Sequence, residues 1–226
     1  MKKPSVIVFD VNETLSDMSA MAERFTETGA PASLAKLWFA TLLRDGFALT
    51  VAGDNPGFAR IGAEALRGLL PGAGIDKSLE EAVGHIMAGM ESLGLHPDVA
   101  AGVGALKAEG YRLITLTNGS TQIAEELFAP VGILDQFEAL LSVEQAPAWK
   151  PNPAAYSYAA GVCRTSPEQM LLVAVHPWDI HGAARAGLQT AWLNRTGAAY
   201  PAYFSAPDLT LTALTDLPGA LRSATH

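Results

Sequence analysis

Apolar positions follow two different rhythms along the chain. Val6-Ile7-Val8-Phe9 is an unbroken, largely β-branched apolar run that stops at Asp10. Such a run lacks the alternation of a half-exposed strand, so it predicts a parallel strand buried on both faces that delivers a carboxylate at its C-terminal end. From Ser16 to Leu95 the spacing becomes helical. Met18, Met21, Ala22 and Phe25 share one face, as do Leu34, Leu37, Trp38 and Leu42, then Phe58, Ile61, Ala65, Leu66 and Leu69. Ser78 and Glu81 form a capping-box pattern ahead of Leu79, Val83, Ile86, Met87, Met90 and Leu93. Between these runs lie Gly29-Ala30-Pro31, Asp54-Asn55-Pro56-Gly57 and Pro71-Gly72-Ala73-Gly74, which break helices.

From His96 onward helix and strand patterns alternate. Helices are expected over Val99–Glu109, Thr121–Phe128, Pro153–Cys163 and Ile180–Ala186, and strands over Tyr111–Thr117, Phe137–Val143, Met170–Val175, Thr190–Leu193 and Leu209–Leu214. Repeated βα units imply an α/β fold with a Rossmann-like, doubly wound parallel sheet. The expected organisation is a core of residues 1–15 and 96–226 interrupted by an inserted α-helical unit, 16–95.

At 226 residues and 49% hydrophobic positions the chain can build a full core without staples. The net charge of −8 offers no basic field for a phosphate backbone, so nucleic acid is not an expected partner. Cys163 is the only cysteine, which excludes an intramolecular disulfide and suits a reducing compartment. Lys2-Lys3 precedes an apolar run that Asp10 stops far short of a signal-peptide core, and no apolar stretch approaches the roughly 20 residues of a membrane span. A soluble, cytoplasmic protein without a membrane partner is expected.

Polar residues recur where the predicted strands end. Thr117-Asn118-Gly119-Ser120 follows one strand, Lys150 sits in Ala148-Trp149-Lys150-Pro151-Asn152-Pro153, and His176-Pro177-Trp178-Asp179 follows another. In an open parallel sheet these ends, with Asp10 and Thr14, converge on one crevice.

This order, Asp10 with Thr14, then Thr117-Asn118-Gly119, then Lys150-Pro151-Asn152-Pro153, then Asp179, resembles the four-motif signature of the haloacid dehalogenase superfamily, and the helical insertion resembles that superfamily's cap. Tyr156, six residues after Lys150, and the Asn118-Gly119 pair are most similar to the L-2-haloacid dehalogenase (type II) branch. The resemblance implies that Asp10 displaces halide from a small 2-haloacid and forms an ester that water hydrolyses. In that scheme Asp179 orients Lys150 and the water, Asn118 donates to the departing halide, and Val11, Asn12 and Gly119 line the substrate site. It also implies a homodimer.

The chemistry can be argued from the side chains themselves. A carboxylate is ionised at neutral pH and needs no base to act as a nucleophile, but it needs a cation beside it. Lys150 can supply that charge, with Thr14 and Thr117 donating hydrogen bonds, so no cofactor is expected. The alternative within the superfamily is a Mg²⁺-dependent phosphohydrolase. Against it, the general-acid aspartate two residues after the nucleophile is Asn12, and the earlier member of the usual acidic pair falls on Val175. A third reading is a protein that keeps the fold for binding.

Two positions depart from the dehalogenase pattern. The cap arginine that faces the leaving halide aligns with Phe39, and Arg44 further along the same helix is the candidate replacement. His176 stands where an asparagine is usual, and Ala174 where a serine is. His176 is therefore expected near Asp10, activating water or binding the substrate carboxylate. Trp38, Phe39 and Trp178 are candidates for an apolar substrate wall, and Tyr156 for a donor to the active-site carboxylates.

Overall fold

The computed structural model describes residues 2–224. Strand β1 (Val6–Phe9) is fully buried at all four positions, as expected of an apolar run with no polar face. The chain then turns through Asp10–Leu15 into a two-residue strand, β2 (Ser16–Asp17), that pairs antiparallel with β3 (Gly94–Leu95). Strands this short carry no periodicity, and the sequence pattern predicts neither. Together they form the neck of the insertion.

Within the insertion, α1 (Met21–Thr26), α2 (Leu34–Ala52), α3 (Phe58–Leu69) and α4 (Leu79–Gly89) pack as a helical unit. α2 runs ten residues beyond the predicted stretch and ends at Gly53, whose φ of +94° suits a residue without a Cβ. The predicted capping box on α4 is formed, Ser78 and Glu81 each satisfying the other's backbone N–H. Trp38 is buried inside this unit and donates from Nε1 to the Gly62 carbonyl at 2.9 Å, so it is cap core and not substrate wall.

The core continues with α5 (Val99–Ala108), β4 (Arg112–Thr117), α6 (Thr121–Phe128), β5 (Ala139–Ser142), α7 (Pro153–Cys163), β6 (Met170–Ala174), α8 (Pro177–Arg185), β7 (Gln189–Leu193), β8 (Leu209–Leu211) and α9 (Leu217–Ala224). The six core strands form one sheet in the order β5-β4-β1-β6-β7-β8, and every pairing in it is parallel. β1 is therefore central, flanked by β4 and β6, and the chain winds outward on one side of it and then on the other. Thr117 ends β4, and Asp10 and His176 lie just past the C-terminal ends of β1 and β6. Two core boundaries differ from the sequence pattern by three residues. α8 starts at Pro177, a residue suited to a helical first turn because its missing N–H is not needed there, and this puts Asp179 inside the helix. The predicted strand Leu209–Leu214 ends at Leu211, and the following apolar residues form a turn and α9. No helix among the described residues is long and apolar enough to cross a membrane.

The insertion is fastened to the core beside Lys150. Trp149 donates from its backbone N–H to Thr50 Oγ1 at 3.2 Å and from Nε1 to the Pro56 carbonyl at 3.1 Å, and its ring stacks on Phe58. Gly46 of α2 makes this approach possible, because a Cβ there would stand 2.5 Å from the Trp149 ring.

Candidate active site

The turn after β1 is held by its own backbone. Leu15 N–H and Ser16 N–H both donate to the Val11 carbonyl, and Glu13 adopts a φ of +61°. Val11 is buried, so its part is to close this turn. The curl brings Thr14 back over Asp10. Thr14 Oγ1 donates to Asp10 Oδ2 at 2.6 Å and accepts from the backbone N–H of Val175 at 3.1 Å, tying the end of β1 to the end of β6.

Lys150 is completely buried between two carboxylates. Its Nζ is 2.9 Å from Asp10 Oδ1 and 2.7 Å from Asp179 Oδ2. The remaining oxygen of Asp179, Oδ1, accepts from Tyr156 Oη at 2.6 Å. Three segments far apart in sequence thus share one charge network in a water-poor interior, where ionic hydrogen bonds are strong and an unpaired member would be costly.

Asn118 binds the backbone that carries Lys150. Its Nδ2 donates to the Lys150 carbonyl at 3.1 Å while its Oδ1 accepts from the Lys150 N–H at 3.0 Å, so both ends of the amide clamp the Lys150 backbone. Asn118 thus positions the lysine backbone with its carbonyl oxygen and one of its two amide N–H groups. Thr117 likewise stabilises the loop, accepting from Gly119 N–H at 2.9 Å. The hydrogen bonds on Asp10 come from Thr14, Lys150 and His176. Asn12 is buried with its amide against Gly119, where an added Cβ would lie 3.3 Å from Asn12 Nδ2.

His176 is the residue that most changes the site. Its Nδ1 lies 3.1 Å from Asp10 Oδ2 and its Nε2 lies 2.8 Å from Glu13 Oε2. Its ring stacks on Trp178 at 5.0 Å between centroids, and Phe39 of α2 approaches from the insertion. Trp178 in turn meets Phe47 of α2 edge to face. Phe39, Trp178 and Phe47 thus form an aromatic wall at the junction of the two units.

Arg44 does not join them. Its side chain is 69% exposed and pairs with Asp45, and it borders a groove of about 1110 Å³ between α2 and α3 that contains none of the residues around Asp10. Six positions separate Arg44 from Trp38 on a helix of 3.6 residues per turn, which places the two on different faces. The expected replacement for the cap arginine is therefore not there. A second cavity, of about 610 Å³, reaches His176 and Glu13 from between α2 and the core, with Phe39, Lys36 and Arg195 on its walls.

The carboxylates are driven apart in acidity. Burial pushes Asp10 up, but the Lys150 ammonium, His176 and the Thr14 hydroxyl more than reverse this and hold it well below the ordinary carboxylate range. Asp179 lies above that range, because burial and the neighbouring Asp10 charge outweigh Lys150 and Tyr156. Lys150 is raised despite its burial by both carboxylates, and burial pushes the Tyr156 hydroxyl well up. Burial opposes the charged form of His176, yet its bonds to Asp10 and Glu13 raise it to about 9. At neutral pH the site holds an ionised Asp10 between two cations.

Glu13, Arg195 and His96 are the residues that sequence reasoning missed. Arg195, just after β7, donates to the Thr14 carbonyl from Nε and Nη2 and pairs with Asp98, and His96 Nε2 meets the Glu13 carbonyl at 3.0 Å. These bonds support the turn that carries Asp10. The one sequence signal for any of them was the position of Arg195 past a predicted strand end.

A model of the haloacid dehalogenase-like hydrolases matches residues 4–187. The chain belongs to this family. Among its relatives, haloacetate dehalogenase H-2 of Moraxella sp. (strain B) is 30% identical over 93% of this chain and 95% of its own length. (S)-2-haloacid dehalogenase 1 of Pseudomonas sp. (strain CBS-3) is 26% identical over 97% of each chain. The structure of L-2-haloacid dehalogenase from Xanthobacter autotrophicus with chloropropionic acid covalently bound superposes with a TM-score of 0.86 at 25% identity, covering 97% of this chain and 98% of that one. As a haloacid dehalogenase-like hydrolase, the chain places its motif carboxylate, Asp10, under the helical cap at the centre of the sheet.

The superfamily's phosphohydrolase members imply a Mg²⁺ ion, and the residues here do not fit one. Mg²⁺ requires near-octahedral oxygen ligands, whereas Lys150 Nζ already takes one oxygen from each of Asp10 and Asp179, and position 175 is valine. Among the described residues no group of three or more His, Cys, Asp and Glu side chains is arranged to hold a metal ion.

Proposed function

We propose that this chain hydrolyses the carbon–halogen bond of a small 2-haloacid through an ester on Asp10. The observation that carries this reading is the Lys150 ammonium, buried and bonded to both Asp10 and Asp179. A fixed cation keeps Asp10 ionised and weakly basic, which suits attack on carbon: the carboxylate oxygen forms a C–O bond while halide leaves with the C–X electron pair, and no proton moves. Water then attacks Cγ of Asp10. The more basic Asp179 receives the water proton and passes it to the departing alkoxide, and Asp10 is regenerated on release of a proton. Two carboxylates held at different acidities allow this division of roles.

The aromatic wall of Phe39, Phe47 and Trp178 suits a small organic substrate and keeps water from the carbon during attack. Residues 16–95 act in this reading as a lid over a catalytic core of 1–15 and 96–226. A cytoplasmic homodimer completes the proposal, supported by the likeness to type II dehalogenases and checked by mass measurement in solution.

The test is single-turnover reaction of enzyme in excess over 2-chloropropionate or chloroacetate in ¹⁸O-water, in the presence of a chelator. Halide release with ¹⁸O found in Asp10 supports the reading. Phosphate release from phosphate esters that requires Mg²⁺, without halide release, overturns it in favour of phosphohydrolase chemistry.

A further inference from the structure

We propose that His176, held by Glu13, is a catalytic residue whose Nδ1–H stabilises the negative charge that forms on Asp10 Oδ2 when water attacks the ester. This deepens the dehalogenase reading and rests on it. The geometry is already in place: Oδ2 carries Thr14 Oγ1 at 2.6 Å and His176 Nδ1 at 3.1 Å, while Oδ1 carries only Lys150. Attack through Oδ1 leaves Oδ2 as the ester carbonyl oxygen. Two donors then point at the atom where the oxyanion develops, and donors fixed in advance give the most effective transition-state stabilisation. The balance is simple. The water oxygen bonds to Cγ as its proton passes to Asp179, the carbonyl π pair moves onto Oδ2, and it returns as the bond from Cγ to the alkyl oxygen breaks and that oxygen takes the proton from Asp179; His176 keeps its own proton throughout.

Glu13 explains how the ring stays charged when it is needed. In the free enzyme two carboxylates contact the imidazole, Asp10 at Nδ1 and Glu13 at Nε2. Forming the ester removes the Asp10 charge, so Glu13 remains as the carboxylate in hydrogen-bond contact. The other groups around the ring are the Trp178 and Phe39 faces, with Asp17, His96, Lys36 and Arg195 farther out along the cavity. A cation stacked on an indole is further favoured. Glu13 does not touch the reacting atoms and is a positioning residue, acting through His176.

The inference separates two steps that are otherwise similar. In ester formation Asp10 is itself a carboxylate that helps keep His176 protonated, whereas in ester decay Glu13 must do so without it. Formation and decay of the Asp10 adduct are followed by intact-protein mass after rapid quenching, using 2-chloropropionate or chloroacetate, as a function of pH. In Glu13→Gln the alkaline limb of adduct decay is expected to move to lower pH by more than that of adduct formation. In His176→Phe the adduct is expected to form and then decay about a hundredfold more slowly, the effect of losing an oxyanion donor, giving a burst of one halide per site. Glu13→Asp, which restores a carboxylate, is expected to recover part of the limb. The inference is overturned if Glu13→Gln leaves both limbs where they were, or if formation and decay slow together in His176→Phe. Failure of the wild-type enzyme to form any adduct or release halide overturns the dehalogenase reading itself, a distinct result.

Discussion

The hydroxyl of Tyr156 stands 2.6 Å from where a Cβ on Gly182 would be, in space that only glycine leaves open. That space lets Tyr156 Oη reach Asp179 Oδ1 at 2.6 Å, and it also admits Pro151, whose Cβ lies 2.5 Å from where that added Cβ would be. A residue on the helix after β6 thereby controls the acid beside the active-site lysine.

Gly182→Ala is expected to force Tyr156 and Pro151 apart from α8. Overpacking of this kind costs about 1–3 kcal/mol. The urea midpoint should fall accordingly, and halide release should fall with it because Lys150 and Asp179 lose their fixed geometry. Tyr156→Phe in the same background separates the two effects: it removes the hydroxyl that clashes and leaves the Pro151 contact, so it should restore part of the stability and not the turnover.

Replacing Lys150 by Met leaves two buried carboxylates facing each other. Removing one partner of a buried pair costs about 3–5 kcal/mol, and Asp10, deprived of the cation that holds its carboxyl below the ordinary range, takes up a proton at higher pH. Halide release is expected to drop at least about a hundredfold at neutral pH and to recover as pH rises, because the ionised fraction of Asp10 then grows. Stopped-flow halide detection across pH checks the direction. A profile shifted toward acid would contradict it.

Asn118→Ala removes both hydrogen bonds to the Lys150 backbone and leaves a buried N–H and C=O without partners, a loss of about 1–3 kcal/mol for such groups. The expected signature is a lower thermal midpoint together with a slower alkylation step. Varying the halogen tests the assignment: a positioning role lowers rates for chloro- and bromo-acids by similar factors, whereas direct contact with halide makes the loss depend on the leaving group.

Stability should decline on the alkaline side. His176 has a folded value of about 9, raised from 6.5, so its contribution is full below pH 6.5 and is lost as pH rises through 9, amounting to at most about 3 kcal/mol. Asp10 works in the opposite direction: its lowered folded value stabilises the protein above 3.8, and that contribution is lost as pH falls below it. Urea unfolding across this range should show both limbs. His176→Asn should flatten the alkaline one and weaken the acid one without abolishing it, because Lys150 and Thr14 still favour the ionised Asp10.

Local pattern was enough to establish the architecture. An apolar run ending in Asp10 is a central strand, alternating βα segments form a parallel sheet, and such a sheet brings Asp10, Thr117, Lys150 and Asp179 to one edge, because strand direction and side-chain period follow from nearest neighbours. What each side chain does there was decided by contacts that no local pattern encodes. Lys150 and Asp10 are 140 positions apart in the chain. The pairing of the Asn118 amide with the Lys150 peptide group likewise joins residues 32 positions apart. Arg44 and Phe39 lie on one helix, yet the packing of α2 against the core turned Phe39 toward His176 and left Arg44 in solvent. Glu13 became the partner of His176 only because the turn after β1, in which Glu13 is itself left-handed, curls beside the residue that follows β6. Hydrogen bonds and ion pairs act over about 3 Å, so they depend on how whole elements pack, and packing is a property of the folded chain.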